Sequence, residues 1–268
     1  MNLRIAALIY LPALLLVPLC AQAQLPIGKL VSKNQVLEVP LNNIDNEILV
    51  NAKVRGEEFQ FLLDTGAPFF ISSAIQKKYD FPVLFKANLS DASGKKDETV
   101  VVSVDSIRVG PFLFTDVWAV VINMENETHQ CHEFVGNFGS NLLSFLTVQF
   151  NLQKAKAILT DNKELLAHKP SVPFSPAKIS TQCDFFFPIT IAGNIIDTIQ
   201  FDSGDGSLYE ISEKALNQLI RFKPNAIVKK GIGITSLGSL GMPEPAKQYV
   251  IRTSITFNGT THPKGISL

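Results

Sequence analysis

The sequence predicts a mainly β protein built as two related lobes. Three observations lead there. Short runs rich in β-branched and aromatic residues are separated by turn-forming stretches. A strand that ends in an acid turn occurs once in each half of the chain. An apolar content of 46% over 268 residues is ample for a core and leaves disorder unsupported.

In the first half, Gly56 leads into EEFQFLLDTG, and Ile71-Ser72 then opens SSAIQKKYDF. The second half repeats this order: Gly193 leads into NIIDTIQFDSG, and Ile211-Ser212 opens SEKALNQLIRF. The two acids, Asp64 and Asp202, stand 138 residues apart, a period far longer than any solenoid unit, so the repeat marks two lobes. Each half predicts a strand, an acid turn and a short helix with Ser72 or Ser212 as its N-cap. Further strands follow in TVVVSVDSIRVG (99–110), which runs into PFLFTDVWAVV, and in QYVIRTSITFNG (248–259), where Ser254-Ile255 matches Ser106-Ile107. Between the halves, Pro170, Pro173 and Pro176 crowd one short stretch that reads as a linker. The expected organisation is a signal at 1–23, a first lobe at 24–165, a linker at 166–182 and a second lobe at 183–268.

The N-terminus has the parts of a secretory signal. Arg4 precedes an apolar run from Ile5 to Leu19, interrupted by Pro12 and Pro18, and Ala21-Gln22-Ala23 supplies a cleavage site. The run falls short of the roughly 20 residues that span a bilayer, which disfavours a stable membrane anchor. Leu19 is too bulky beside Cys20 for a lipoprotein signal. An exported protein, periplasmic or secreted, is the expectation. In such a compartment a disulfide can persist, and Cys131 and Cys183 are the candidate pair left after cleavage. His129-Gln130-Cys131-His132 has metal-ligand types at too tight a spacing, without a second cluster, so no metal site is expected. The balance of 24 basic and 24 acidic side chains disfavours a nucleic-acid partner, which rewards clustered Lys and Arg.

The chemistry rests on the acid turns. A carboxylate carried into a core is costly unless it is hydrogen-bonded or shares its charge. Gly66 and Gly204 allow tight turns whose N–H groups approach Asp64 and Asp202, and Thr65 and Ser203 place hydroxyls beside them. With one turn from each lobe, two carboxyls can meet; like charges in contact cannot both ionise, so one proton is shared. Such a pair can serve as base towards a water and as acid towards a leaving group.

Asp64-Thr65-Gly66-Ala67 and Asp202-Ser203-Gly204 resemble the paired signatures of the aspartic proteases, the pepsin and retroviral types. The resemblance extends to VGNFGSNLLSFLTVQFNLQKAKAIL (135–159), similar to that family's glycine-flanked loop and following strands, with Gly136 and Gly139 in place. LSDASGKKDETVVV resembles the flap hairpin that closes over substrate, with Ser93-Gly94 at its tip. The resemblance implies a bilobal β-barrel fold, Asp64 and Asp202 as catalytic acids, a peptide or protein substrate, and no cofactor.

Four departures stand out. Asn137 occupies a place usually apolar in the family. Asp205 follows the second triplet, where a third acid would repel the pair unless it points outward. The flap region has Phe81 and Phe85 but no Tyr at a pepsin-like position. Finally, Gly139 lies 75 residues after Asp64, and the same distance from Asp202 runs past Leu268. The second lobe is therefore expected to lack its own glycine loop, either because the sequence is a fragment or because the lobe is incomplete. A monomer is expected if the two-lobed site is complete; a homodimer pairing two copies of Asp64 is the alternative.

Other stretches carry less. GIGITSLGSLG (231–241) lacks the strand, helix and downstream acid of a dinucleotide site and fits a flap-like segment of the second lobe. No serine sits in a nucleophile elbow. The expectation is an exported aspartic-type endopeptidase, against the alternative of an inactive peptide-binding protein that keeps the fold.

Overall fold

The computed structural model describes residues 28–41, 48–90, 96–124, 134–166, 176, 178–180, 182–205, 211–234, 245–262 and 266–267. The signal at 1–23, the flap tip at Ser93-Gly94 and Cys131 lie outside the described residues.

The first lobe runs through β1 (Lys29–Leu30), β2 (Val36–Pro40), β3 (Leu49–Val54), β4 (Glu57–Leu63), β5 (Phe70–Ser72), α1 (Ser73–Tyr79), β6 (Val83–Ser90), β7 (Lys96–Val109), β8 (Phe112–Ile122), β9 (Gly136–Phe138), α2 (Ser140–Leu143), β10 (Thr147–Asn151) and β11 (Lys156–Thr160). Strands β8, β5, β9, β4, β3 and β7 bond in that order, and β7 returns to β8, so six strands close a barrel. Phe61, Leu63, Val102, Val104, Phe112 and Phe114 fill it and are buried, as strand alternation requires of an inward face. A second sheet, with β11 between β10 and β2, sends Ala157 and Leu159 into the same core.

The second lobe contains β12 (Lys178–Ile179), β13 (Phe185–Ile191), β14 (Ile195–Gln200), α3 (Glu213–Phe222), β15 (Ile227–Ile234), β16 (Pro245–Ile251), β17 (Ile255–Phe257), β18 (Thr260–His262) and β19 (Ile266–Ser267). Among the described residues its core is smaller, gathered from Ile189, Ile191, Ile195, Leu219, Ile251 and Ile255. The protein is thus mainly β with few helices.

Both predicted N-caps form. Ser72 Oγ accepts from the Ile75 N–H at 3.3 Å and Ser212 Oγ from the Ala215 N–H at 3.1 Å, each satisfying a donor that the first helical turn leaves orphaned.

Two expectations are corrected. The linker expected at 166–182 is not wholly a linker, because Lys178 and Ile179 pair with Phe186 and Phe185 and so belong to the second lobe's sheet. The bridge between Cys131 and Cys183 is not made; Cys183 carries a free, half-buried thiol. It sits at φ 72 in a turn closed by its own bonds, where Cys183 N–H donates to the Ser180 carbonyl at 3.1 Å and Ser180 N–H to the Asp184 carbonyl at 3.0 Å.

The acid-bearing strands differ in their support. β4 is flanked by β3 and, in parallel, by β9, which pairs Leu62 with Asn137 and Leu63 with Phe138. Among the described residues β14 pairs with β13 alone. Asp64 therefore emerges from the middle of a closed barrel, and Asp202 from a sheet edge.

Candidate active site

Asp64 follows β4 directly and is buried. Its N–H donates to the Phe138 carbonyl at 3.2 Å. Its Oδ1 accepts from Gly66 N–H at 2.7 Å and Ala67 N–H at 3.2 Å, the local turn that Asp favours by folding its side chain onto the next backbone N–H groups. The second turn copies the first: Gly204 N–H donates to Asp202 Oδ1 at 2.8 Å.

The two carboxyls meet and share a hydrogen bond. The glycines make that meeting possible. A Cβ on Gly66 would stand 2.2 Å from Asp202 Cγ, and one on Gly204 would stand 2.7 Å from Asp64 Cγ. Each lobe's glycine leaves the space that the other lobe's acid enters.

Thr65 and Ser203 correct a sequence expectation. Their hydroxyls do not serve the neighbouring acids but tie the lobes together. Thr65 N–H donates to Ser203 Oγ at 3.1 Å, and Ser203 N–H donates to Thr65 Oγ1 at 2.9 Å. The Thr65 hydroxyl donates to the Phe201 carbonyl at 2.8 Å, and the Ser203 hydroxyl to the Leu63 carbonyl at 2.9 Å. Gln200 Nε2 adds a bond to the Gly66 carbonyl at 2.7 Å, and the rings of Phe150 and Phe201 pack with centroids 5.8 Å apart. Thr65→Val keeps the shape and removes the hydroxyl, leaving Ser203 N–H and the Phe201 carbonyl unpaired. We expect a stability loss of about 2 kcal/mol in chemical denaturation, the scale of stranded partly buried polar groups.

Three supporting residues escaped the sequence reading. Asn137, flagged only as a departure, is buried on β9, and its Nδ2 donates to Asp64 Oδ2. Asn141 is also buried; its Oδ1 accepts from Phe69 N–H at 2.7 Å and its Nδ2 donates to the Trp118 carbonyl at 3.2 Å. It pins the chain just after the first acid turn, and Ser140 N–H helps by donating to the Ala67 carbonyl at 2.8 Å. The third is Asp184, buried ahead of β13, whose Oδ2 accepts from Ser180 Oγ at 2.9 Å. Only its place two residues after the linker hinted at it.

Burial pushes the Asp64 carboxyl well above the ordinary range, and the Asp202 charge adds to this, while Gly66 and Ala67 N–H pull the other way. Burial also raises Asp202; the bonds from Asp64 and Gly204 lower it, and Asp205 raises it again. The Asp205 charge pushes Asp202 up while the Asp205 N–H pulls it down. Asp184 is raised by burial first, against bonds from Ser180 and Ser140, with a further push from Asp202.

These shifts share one sign. An acid whose folded pKa is raised holds its proton better in the folded state, so its contribution is fully present below the unfolded value and is lost as pH climbs through the folded one. Thermal stability should therefore be higher near pH 4 than near pH 7. Asp184→Asn should shrink that difference by raising the melting temperature at neutral pH, which calorimetry at the two pH values measures.

The flap tip at Ser93-Gly94 lies outside the described residues, but the hairpin strands that lead to it, β6 and β7, pair from Val83–Val102 to Ser90–Lys96. Phe81 is no closing residue: it is buried in the barrel core, with the Arg55 guanidinium 4.8 Å over its ring. Val83, Leu84 and Phe85 on β6 are exposed. Among the described residues no group of three or more His, Cys, Asp or Glu is placed to hold a metal ion.

Residues 50–142 match the family model described as aspartyl protease. That span runs from β3 through the first acid turn and the hairpin to the glycine loop, and over it the chain resembles the pepsin and retroviral aspartic proteases. No curated protein sequence matches the chain. Among solved structures, a retropepsin-like aspartic protease from Rickettsia conorii is 17% identical with a TM-score of 0.37, over 48% of this chain and 94% of that one. Basic 7S globulin from soybean is 12% identical with a TM-score of 0.47, over 90% of this chain and 81% of that one. An aspartic proteinase from Irpex lacteus is 13% identical with a TM-score of 0.47, over 85% of this chain and 78% of that one.

Proposed function

We propose that this chain, whose first lobe matches the aspartyl protease family, is an endopeptidase that hydrolyses peptide bonds through a water activated between Asp64 and Asp202. The observation that carries the reading is the reciprocal fit of the two turns, in which each glycine clears the space for the opposite carboxyl. Acids in such contact hold one proton between them. The ionised carboxyl takes a proton from water as the water oxygen bonds to the peptide carbonyl carbon, and the protonated carboxyl gives its proton to the carbonyl oxygen. Collapse of the tetrahedral adduct then breaks the C–N bond as a proton reaches the leaving nitrogen.

An extended peptide suits this site, because a β-strand ligand bonds through its backbone and leaves alternate side chains to be read by pockets. One chain supplies both acids, so we propose a monomer as the working unit. Export to the periplasm or the exterior remains part of the proposal, from the signal at 1–23.

The test is cleavage of an unfolded polypeptide by purified protein at acid and neutral pH, with products mapped by mass spectrometry. Internal fragments from the wild type, absent with Asp64→Asn and with Asp202→Asn, support the reading. Unchanged cleavage by either variant overturns the assignment, and tight peptide binding without turnover by the wild type favours a binding protein.

A further inference from the structure

Asn137 poses a problem of cost. It is 3% exposed, sits on β9 between β4 and β5, and its Oδ1 has no hydrogen-bond partner. A buried polar atom left unpaired is destabilising, and an apolar side chain of similar volume would remove that penalty. What the amide offers in exchange is one contact, from Nδ2 to Asp64 Oδ2.

The other forces on Asp64 show what that contact is for. Burial and the neighbouring Asp202 both favour the protonated carboxyl. Two further acids face Asp202 from the second lobe, Asp205, whose charge raises it, and Asp184, which Asp202 raises in turn; at Asp64 itself the forces towards protonation are burial and Asp202. Gly66 and Ala67 N–H oppose them at Oδ1. Asn137 opposes them at Oδ2.

We propose that Asn137 is a positioning residue of the acid pair, whose amide N–H stabilises the ionised Asp64 carboxylate and fixes Oδ2 against the barrel. It extends the working range of the pair towards lower pH. This rests on the hydrolase reading of the same site. The amide does not touch the scissile bond; it acts through Asp64.

The experiment replaces Asn137 with leucine and follows two readouts. Loss of a donor to the charged form raises a carboxyl pKa. Both limbs of the pH profile of kcat/KM should therefore move to higher pH by about one unit, the scale of a modest charge-assisted bond. In the full-length protein, carboxyl ¹³C titration by NMR should show the pair's apparent values moving the same way, whether or not any peptide is turned over. A structural role alone would not move either. The melting temperature near pH 4 should not fall, since the unpaired Oδ1 has gone. Should Asn137→Leu fail to fold, Asn137→Asp keeps the shape, replaces the neutral donor by an acid, and should raise the pair's values further.

A folded variant whose carboxyl titration is unmoved, or moves to lower pH, overturns the proposal. A wild type that cleaves no peptide sinks the hydrolase reading instead, and the titration still decides the role of Asn137.

Discussion

Asp64→Asn should lower kcat/KM by about 10²–10⁴-fold, the range that a general acid or base contributes, while raising the melting temperature near neutral pH. The loss of turnover follows because an amide can neither hold nor pass on the proton that the two carboxyls share. The gain in stability follows from the sign of the Asp64 shift: the folded protein binds that proton more tightly than the unfolded chain does, so removing the acid removes a cost that grows with pH. Local bonding supports the same outcome. The new side-chain oxygen can keep the Gly66 and Ala67 N–H bonds, and its NH₂ faces Asn137, whose unpaired Oδ1 can turn to accept it. Thermal melts beside a peptide-cleavage assay check both halves. A fall in melting temperature would mean that Asn137 cannot turn, and retained turnover would mean that Asp64 is not part of the catalytic pair.

Gly66→Ala should cost about 10²-fold or more in kcat/KM, the scale of misplacing a catalytic group by an ångström, with the first lobe still folded. The new Cβ would stand 2.2 Å from Asp202 Cγ and 2.2 Å from Asp202 Oδ2, so the carboxyl must leave. It can do so, because Asp202 follows the edge strand β14, which pairs with β13 alone among the described residues. Gly204→Ala presses instead on Asp64, which is buried among its donors and cannot yield. There the second turn must shift and strain the Thr65–Ser203 bonds, so stability should fall along with activity. Crystal structures of the two variants would show Asp202 displaced in the first and the lobe contact loosened in the second.

The sequence reading captured what repeats and what is local. Both acids were legible because each ends a β-branched, aromatic strand and is followed by a small-residue turn. Ser72 and Ser212 were legible as caps because capping is a matter of three residues. The glycine loop was found through its resemblance to that of the aspartic proteases, with Gly136 and Gly139 in place. What escaped depends on distant partners. The Thr65 and Ser203 hydroxyls look like local donors in the sequence, and only the docking of two lobes turns each towards the opposite backbone. Asn137 reads as a flaw in an apolar strand until β9 is seen beside β4. Cys183 reads as half of a bridge, because sequence gives the redox context but not the turn that holds the thiol. The short strand at Lys178–Ile179 was hidden by the prolines before it, which advertise a linker.

If the proposed activity holds, the reciprocal bonding of Thr65 and Ser203 bears on how such a protein would survive it. An enzyme that cuts unfolded chains counts its own unfolding copies among its substrates. The smaller second lobe, with its modest core, is the part expected to open first. Yet it cannot undock without surrendering the four Thr65 and Ser203 bonds at the seam and carrying Asp202 away from Asp64. A molecule that begins to come apart is disarmed in the same event. Damage of this kind would limit itself: failing copies would become substrate, and only intact ones would remain able to cut.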